Sequence, residues 1–319
     1  MRAVVTGGAG FIGSHLVDVL VAAGHAVVAV DDLSTGRAEN LASAFKRGSR
    51  LMLADVRSEA DMRRVLMDCR PQTVFHLAAQ ISVSRAVGAP VDDAMANVVG
   101  TLAVLEAARA CGARRFVLAS SGGAIYGDAG QVPTREDAPI APLSPYGAGK
   151  AGAEQYVALY GRLHGLSTVT LRLANVYGPR QGAAGEGGVI THFCRARLAD
   201  ASAPVFGDGL QTRDFVYVTD VAAAFRAAGE GTVSGALNIG TGCETTVLDL
   251  IAGLGLTPEF RRCRPGEVRR SCLDASAAHE ALGWTPRTPL ARGLQETLAF
   301  ETRCLAAATP VAGAYVAAA

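Results

Sequence analysis

The sequence predicts an α/β fold, a doubly wound parallel sheet with a smaller C-terminal lobe for substrate. Three observations predict it. Short apolar runs alternate with amphipathic runs through the first half of the chain, the pattern of strands covered on both faces by crossover helices. The first apolar run leads straight into a glycine-rich turn that opens a helix. Beyond residue 175 the alternation stops, and glycine-rich loops with short strands replace it.

The first strand covers residues 3–6. Leu16, Val19, Leu20 and Ala23 recur on one face of the helix after it, and Gly24 stops that helix. Further strands are expected at 27–30, 51–53, 74–77, 116–119 and 169–173. Helical periodicity lies between them near 58–68, 92–110 and 146–164, and again near 188–199. Right-handed crossovers then give a parallel sheet. Residues 1–174 form the first lobe, with 217–240 returning to it. Residues 175–216 and 241–304 form the second. The tail 305–319, which ends "AAATPVAGAYVAAA", is small and uncharged and is expected to be disordered.

Half of the 319 residues are hydrophobic, enough for a large core or two lobes sharing a cleft. A net charge of +1 without a basic block gives no reason to expect nucleic acid or an anionic membrane. The seven cysteines are scattered, with no CxxC and no Cys/His ligand spacing. They read as reduced thiols in a cytoplasm, with no metal site. Glycines interrupt the apolar N-terminus, which therefore reads as neither a signal peptide nor a membrane span.

In "VVTGGAGFIGSH", Gly7, Gly10 and Gly13 are spaced for a phosphate turn. Glycines permit the tight turn and a close approach to a pyrophosphate, and the helix N-terminus offers free N–H groups to the anion. The second strand ends at Asp31, where a carboxylate meets the ribose hydroxyls of an adenosine. Asp31 and Asp32 repel a 2′-phosphate, which favours NAD over NADP; Arg37 nearby works against that preference. Asp55 and Val56, after the third strand, are candidates for the adenine edge. The sheet is thus Rossmann-type. "FVLASSGGAIYG" ends a strand with Ser120 and Ser121, at the edge where such sheets bind ligands. In "LSPYGAGKAGAEQ", Tyr146 and Lys150 stand one helical turn apart, with Cβ atoms roughly 5–6 Å from each other. A cation there favours phenolate over phenol and makes the tyrosine a usable base. A strand-end serine orients a substrate hydroxyl, Tyr146 moves its proton, and Lys150 supports the tyrosine and binds the nicotinamide ribose.

Together with "DDLSTG", "HLAAQ", "RLANVYGPRQ", "VFGDGLQTRDFVYVTDV", "NIGTG" and "RPGEVRRSCLD", these motifs resemble the extended short-chain dehydrogenase/reductases of the NAD-dependent epimerase/dehydratase family over roughly residues 1–303. Within it they are most similar to the bacterial UDP-glucose 4-epimerases. The resemblance implies the following. Phe11 and Ile12 meet the pyrophosphate. Asp31, Asp32, Leu33, Ser34, Thr35 and Gly36 surround the adenosine with Asp55 and Val56. Leu77, Ala78, Ala79 and Gln80 pass under the ribose and nicotinamide. Asn97 contacts the cofactor, and Tyr177 lies beside the nicotinamide. Asn175, Val189 and Ile190 contact the nucleotide sugar, and Val205, Phe206 and Gly207 run along the uracil or its ribose. Arg213 and Arg264 clamp the diphosphate. The variant of the strand-end motif found here makes Ser121 the catalytic hydroxyl, with Ser120 as the fallback. Gly122 and Gly123 stand beside the sugar, where dehydratases carry an Asp-Glu pair and decarboxylases a nearby glutamate. Reversible oxidation without elimination is left, hence C4 epimerisation. Ser271 is small where the family limits space beside C2. The helices near 92–110 and 146–164 imply a homodimer through a four-helix bundle. Alternatives are a 4-epimerase of UDP-glucuronate or UDP-N-acetylglucosamine, and a non-catalytic NAD-binding regulator. His76 and Trp284 read as core residues.

Overall fold

The computed structural model describes residues 1–182, 188–263 and 268–308. Its first half alternates strand and helix: β1 (Arg2–Thr6), α1 (Phe11–Ala22), β2 (Ala26–Asp31), α2 (Ala42–Phe45), β3 (Arg50–Leu53), α3 (Glu59–Cys69) and β4 (Thr73–His76). α4 (Val83–Gly88), α5 (Pro90–Ala94) and α6 (Gly100–Ala110) follow, and a π-helical turn at Met95–Val99 joins the last two. Then come β5 (Arg115–Ser121), α7 (Gly122–Ile125), α8 (Pro145–His164) and β6 (Ser167–Leu173). The second half holds β7 (Asn175–Tyr177), α9 (Val189–Leu198), β8 (Ala203–Phe206), β9 (Thr212–Arg213), β10 (Phe215–Tyr217), α10 (Val218–Glu230) and β11 (Gly235–Ile239). It ends with β12 (Thr245–Thr246), α11 (Val247–Gly253), β13 (Pro258–Arg261), β14 (Arg270–Ser271), α12 (Ser276–Leu282) and α13 (Leu290–Ala308).

Seven parallel strands form one sheet in the order β11-β6-β5-β4-β1-β2-β3. Side chains alternate between its faces. Val5, Ala29, Val117 and Leu171 pack with Leu16 and Leu20 of α1 and Phe225 of α10. Val4, Val30, Val74 and Leu118 pack on the other side with Leu66 of α3, Leu105 of α6 and Val157 of α8. Both faces of the central strands are buried, which is why β1 and β2 are apolar over most of their length. The chain runs outward from β1 to β3 on one side and from β4 to β11 on the other. A crevice therefore opens beyond the carboxyl ends of β1 and β4. Residues 217–240 supply α10 and β11, with Leu237 opposite Leu171 in the sheet.

Tyr177, Phe193, Val205, Phe215, Leu250 and Leu294 meet in a separate core, which we take as that of the second lobe. Trp284 is buried and donates its indole N–H to the Asp220 carbonyl at 2.8 Å. Two expectations change. The run 92–110 is interrupted at residues 95–99 by the π turn, which is tied to Asn97 as described below. α13 runs through Ala308, so the helix enters the stretch expected to be disordered; residues 309–319 lie outside the described residues.

Candidate active site

The turn between β1 and α1 is drawn tight against the neighbouring strand. Gly7 has φ +66°, and a β-carbon on it would sit 2.7 Å from the Ala78 backbone nitrogen. On Gly13 it would sit 2.0 Å from the Gly7 carbonyl oxygen. No side chain caps the N-terminus of α1, and no acidic residue stands in its first turn, which begins with Phe11 and Ile12. An uncapped helix end behind a glycine turn is a cradle for a phosphate. At the end of β2, Asp31 is buried, and its carboxylate accepts from Ala9 N at 3.0 Å and Leu33 N at 2.9 Å. Burial pushes its carboxyl up, against those two hydrogen bonds. The loop Leu33–Gly36 folds over Asp31, and Gly36 stands where a β-carbon would lie 2.6 Å from its Oδ1. Asp32 is exposed and bonded to Ser34 at 2.9 Å through N–H and 2.6 Å through the hydroxyl. Asp55 takes the Arg57 guanidinium at 2.6 Å, which holds its carboxyl below the usual range. These features fit the pyrophosphate and adenosine of a dinucleotide.

The segment Leu77–Gln80 leaves β4 half-buried. Asn97 grips it from the π turn: its Oδ1 accepts from Gln80 N at 3.1 Å, and its Nδ2 donates to Gln80 O at 3.0 Å and to Asp93 at 3.0 Å. The amide donors of Asn97 are thus spent inside the protein. It holds the segment that shapes the cradle from behind.

Tyr146 and Lys150 both belong to α8. Ser144 begins that helix by accepting from Gly147 N at 3.1 Å, Pro145 follows as its first residue, and Gly165 ends it with φ +65°. Lys150 is buried, 6.0 Å from the centroid of the Tyr146 ring, and donates to the Ala119 carbonyl at 3.0 Å. Burial lowers its pKa to about 8, while Asp93 and Glu154 work in the other direction. Ala119 lies near the end of β5, so the ammonium is tied to the strand that carries Ser120 and Ser121. Ser121 is half-buried at the start of α7. Ser120 is buried, and its hydroxyl has no hydrogen-bond partner among the described residues.

On the other side of the crevice, Gly123 faces the second lobe. A β-carbon there would lie 3.7 Å from Asn175 Oδ1 and 3.8 Å from Ser271 Oγ, ordinary van der Waals contact, so these three residues are immediate neighbours. Arg213 is half-buried and donates to the Thr212 carbonyl at 2.7 Å. Phe206 is half-buried beside Gly207, which has φ +77°. Four of the residues expected around the ligands are buried in this structure. Gly122 is buried under Leu273, whose Cδ1 would be 2.5 Å from a β-carbon at that position. Tyr177, Ile190 and Val205 are buried in the core of the second lobe, because β7, α9 and β8 turn their apolar side chains there. Val189 packs against the same core. Arg264 lies outside the described residues.

The model of the NAD dependent epimerase/dehydratase family matches residues 3–240. The chain belongs to that family. The UDP-glucose 4-epimerase of Mycolicibacterium smegmatis is 49% identical over 308 residues, covering 94% of this chain and 98% of that protein. A crystal structure of UDP-glucose 4-epimerase with UDP-glucose from Thermotoga maritima superposes with a TM-score of 0.91 at 42% identity, over 96% of this chain and all of the other. The Thermus thermophilus UDP-glucose 4-epimerase in complex with NAD gives a TM-score of 0.87 at 39% identity, over 94% of this chain and 98% of the other. As an NAD-dependent family member, the chain has in its phosphate turn, Asp31 and the 77–80 segment the residues that would hold that cofactor.

Two buried carboxylates escaped the reading of the sequence. Asp214 accepts from Thr241 N at 2.8 Å, Thr241 Oγ1 at 2.6 Å and Leu273 N at 3.3 Å, and so ties the loop after β11 to the residue that covers Gly122. Asp93 holds the amides of Asn97 and Gln80. Asp92-Asp93 reads as an ordinary acidic first helical turn, and no sequence signal says which of the two faces inward.

Proposed function

We propose that the chain interconverts the C4 epimers of a nucleotide sugar, UDP-glucose and UDP-galactose, through a 4-keto sugar, and serves galactose metabolism in the cytoplasm. The observation that carries this reading is the Tyr146–Lys150 pair tied to the end of β5, beside a strand-end motif that continues as Gly122-Gly123. The similarity to proteins named UDP-glucose 4-epimerase supports it. The chemistry that bound NAD would supply is reversible hydride transfer at C4.

The chain's own residues do the rest. Ser121 orients the 4-hydroxyl. Tyr146 accepts its proton and later gives it back, and the Lys150 charge favours the phenolate that does so. An acid at position 122 would collide with Leu273, which supports a reaction without elimination. Arg213, with Arg264, grips the diphosphate, while the sugar faces small groups at Gly123 and Ser271. A firm hold on the nucleotide and a loose one on the ring let the keto sugar turn its other face.

The small side chain of Ser271, where the family limits space beside C2, supports a second substrate, UDP-N-acetylglucosamine. An exposed apolar stripe of Val91, Met95 and Val99, with Tyr156 and Leu163 on α8, supports a homodimer. No helix among the described residues is long and apolar enough to cross a membrane. The test is incubation of the purified protein with a panel of nucleotide sugars, without added NAD, read by NMR. Inversion at C4 of UDP-glucose is expected. Its absence across the panel overturns the reading, and inversion of UDP-glucose alone removes the second substrate.

A further inference from the structure

Behind Lys150 lies a carboxylate that the proposed reaction does not use. Asp93 is 1% exposed. Its Oδ1 accepts from Gln80 Nε2 at 2.8 Å and from Asn97 Nδ2 at 3.0 Å. Its Oδ2 lies against α8, where a β-carbon on Gly149 would come within 2.8 Å. A carboxylate only accepts, so both side-chain amides must turn their NH₂ groups toward it. That orientation sends Asn97 Oδ1 to the Gln80 N–H.

Charge leads to the same residue. Asp93, Lys150, Glu154 and Arg172 are all buried around α8. Arg172 and Glu154 pair at 2.7 Å and offset each other. The two amides on Asp93 are neutral and offset nothing. Asp93 is left as the counter-charge of Lys150 in a region where charges are poorly screened.

We propose that Asp93 is a positioning residue of the hydride-transfer centre, orienting Asn97 and Gln80 beneath the cofactor and supplying the buried negative charge that keeps Lys150 an ammonium. The proposal rests on the epimerase reading for its kinetic arm only. The ionisable groups facing Lys150 are Asp93 from α5, His76 from β4, and Tyr146 and Glu154 on α8, with Arg172 from β6 behind Glu154. His76 is neutral, so Asp93 is the uncompensated anion among them.

Two variants separate the roles. Asp93→Asn keeps an acceptor for both amides and removes the charge; Asp93→Leu removes both. The measurements are NAD affinity, thermal unfolding, and kcat with UDP-glucose across pH. Asp93→Asn is expected to keep NAD and its melting temperature while the alkaline limb of kcat moves about one unit toward lower pH. Asp93→Leu is expected to bind NAD at least ~10-fold more weakly, since two buried amides lose their acceptor. A wild-type pH profile in Asp93→Asn, or wild-type NAD affinity in Asp93→Leu, overturns the proposal. If the wild type itself inverts no sugar, the epimerase reading fails, and the Asp93→Leu affinity decides the proposal by itself.

Discussion

Burial sets the chemistry of the individual side chains. Lys150 is stripped of water yet stays within reach of Ala119 O and 6.0 Å from the Tyr146 ring, because one helical turn separates the two residues. Tyr146→Phe keeps the ring and deletes the hydroxyl. We expect kcat to fall at least ~10²-fold with bound NAD unchanged, as read by absorbance and NMR; near-normal turnover would refute the proton role. His76 is fixed by its neighbours. Thr101 donates to Asn97 O at 2.7 Å and so receives the His76 Nε2–H at 3.0 Å, while Thr6 receives the Ala78 N–H at 3.3 Å and donates to Nδ1 at 2.7 Å. The ring is held neutral, with its pKa pushed down to about 3 by burial and then by Lys150. The unfolded chain binds that proton from pH 6.5 downward, so the stability is complete above 6.5 and is lost as pH falls toward 3. His76→Asn should remove up to about 1.4 kcal/mol per pH unit from the acid slope of stability. Urea midpoints taken at successive pH values check this, and parallel slopes would contradict it. At this scale the Tyr146–Lys150 pair was legible because it is a matter of spacing. The inward amide of Asn97 was not, since its partners Gln80 and Asp93 are chosen by packing.

Elements are held in place by polar links that the hydrophobic pattern does not announce. Glu154 on α8 and Arg172 on β6 form a buried pair, which Tyr126 OH extends at 2.8 Å and the Glu136 carbonyl at 3.0 Å. Glu154 lies one turn beyond Lys150, so the pair anchors the catalytic helix to the sheet. Arg172→Met strands a buried carboxylate and should cost about 3–5 kcal/mol, with much of it recovered by adding Glu154→Leu. A double-mutant cycle in urea measures this; a loss in the double variant equal to the sum of the two single losses would show no coupling. The strands β1 to β6 were legible from apolar runs and the span of α8 from its helical periodicity. The π turn was not, because its register depends on Asn97 reaching Gln80 across the fold.

For the whole molecule, the decisive contacts run between lobes and onto the surface. Leu273 closes over Gly122, and Thr134 bonds to Cys272 and Asp274 at 2.8 Å each, so the second lobe is seated on the end of β5. On the outside, Val91 is 72% and Leu163 65% exposed on neighbouring helices. Val91→Glu places a charge in the face we assign to a second copy. We expect it to convert a dimer to a monomer in light scattering while the melting temperature of the chain stays within a few degrees. A wild-type chain that is monomeric would remove the dimer from the reading.

The alternation of strands and helices up to β6, the phosphate turn, Asp31 and the Tyr146–Lys150 pair were written in the linear chain. Each is a matter of spacing along a short stretch, enforced by backbone geometry that does not depend on distant residues. Folding in three dimensions was needed to choose which member of an equivalent set faces the site: Asp93 and not Asp92 turned inward, Gly123 half-buried and Gly122 covered, Tyr177 and Val205 drawn into the second core. Burial is conferred by residues far away in the chain, and a local pattern carries no record of them.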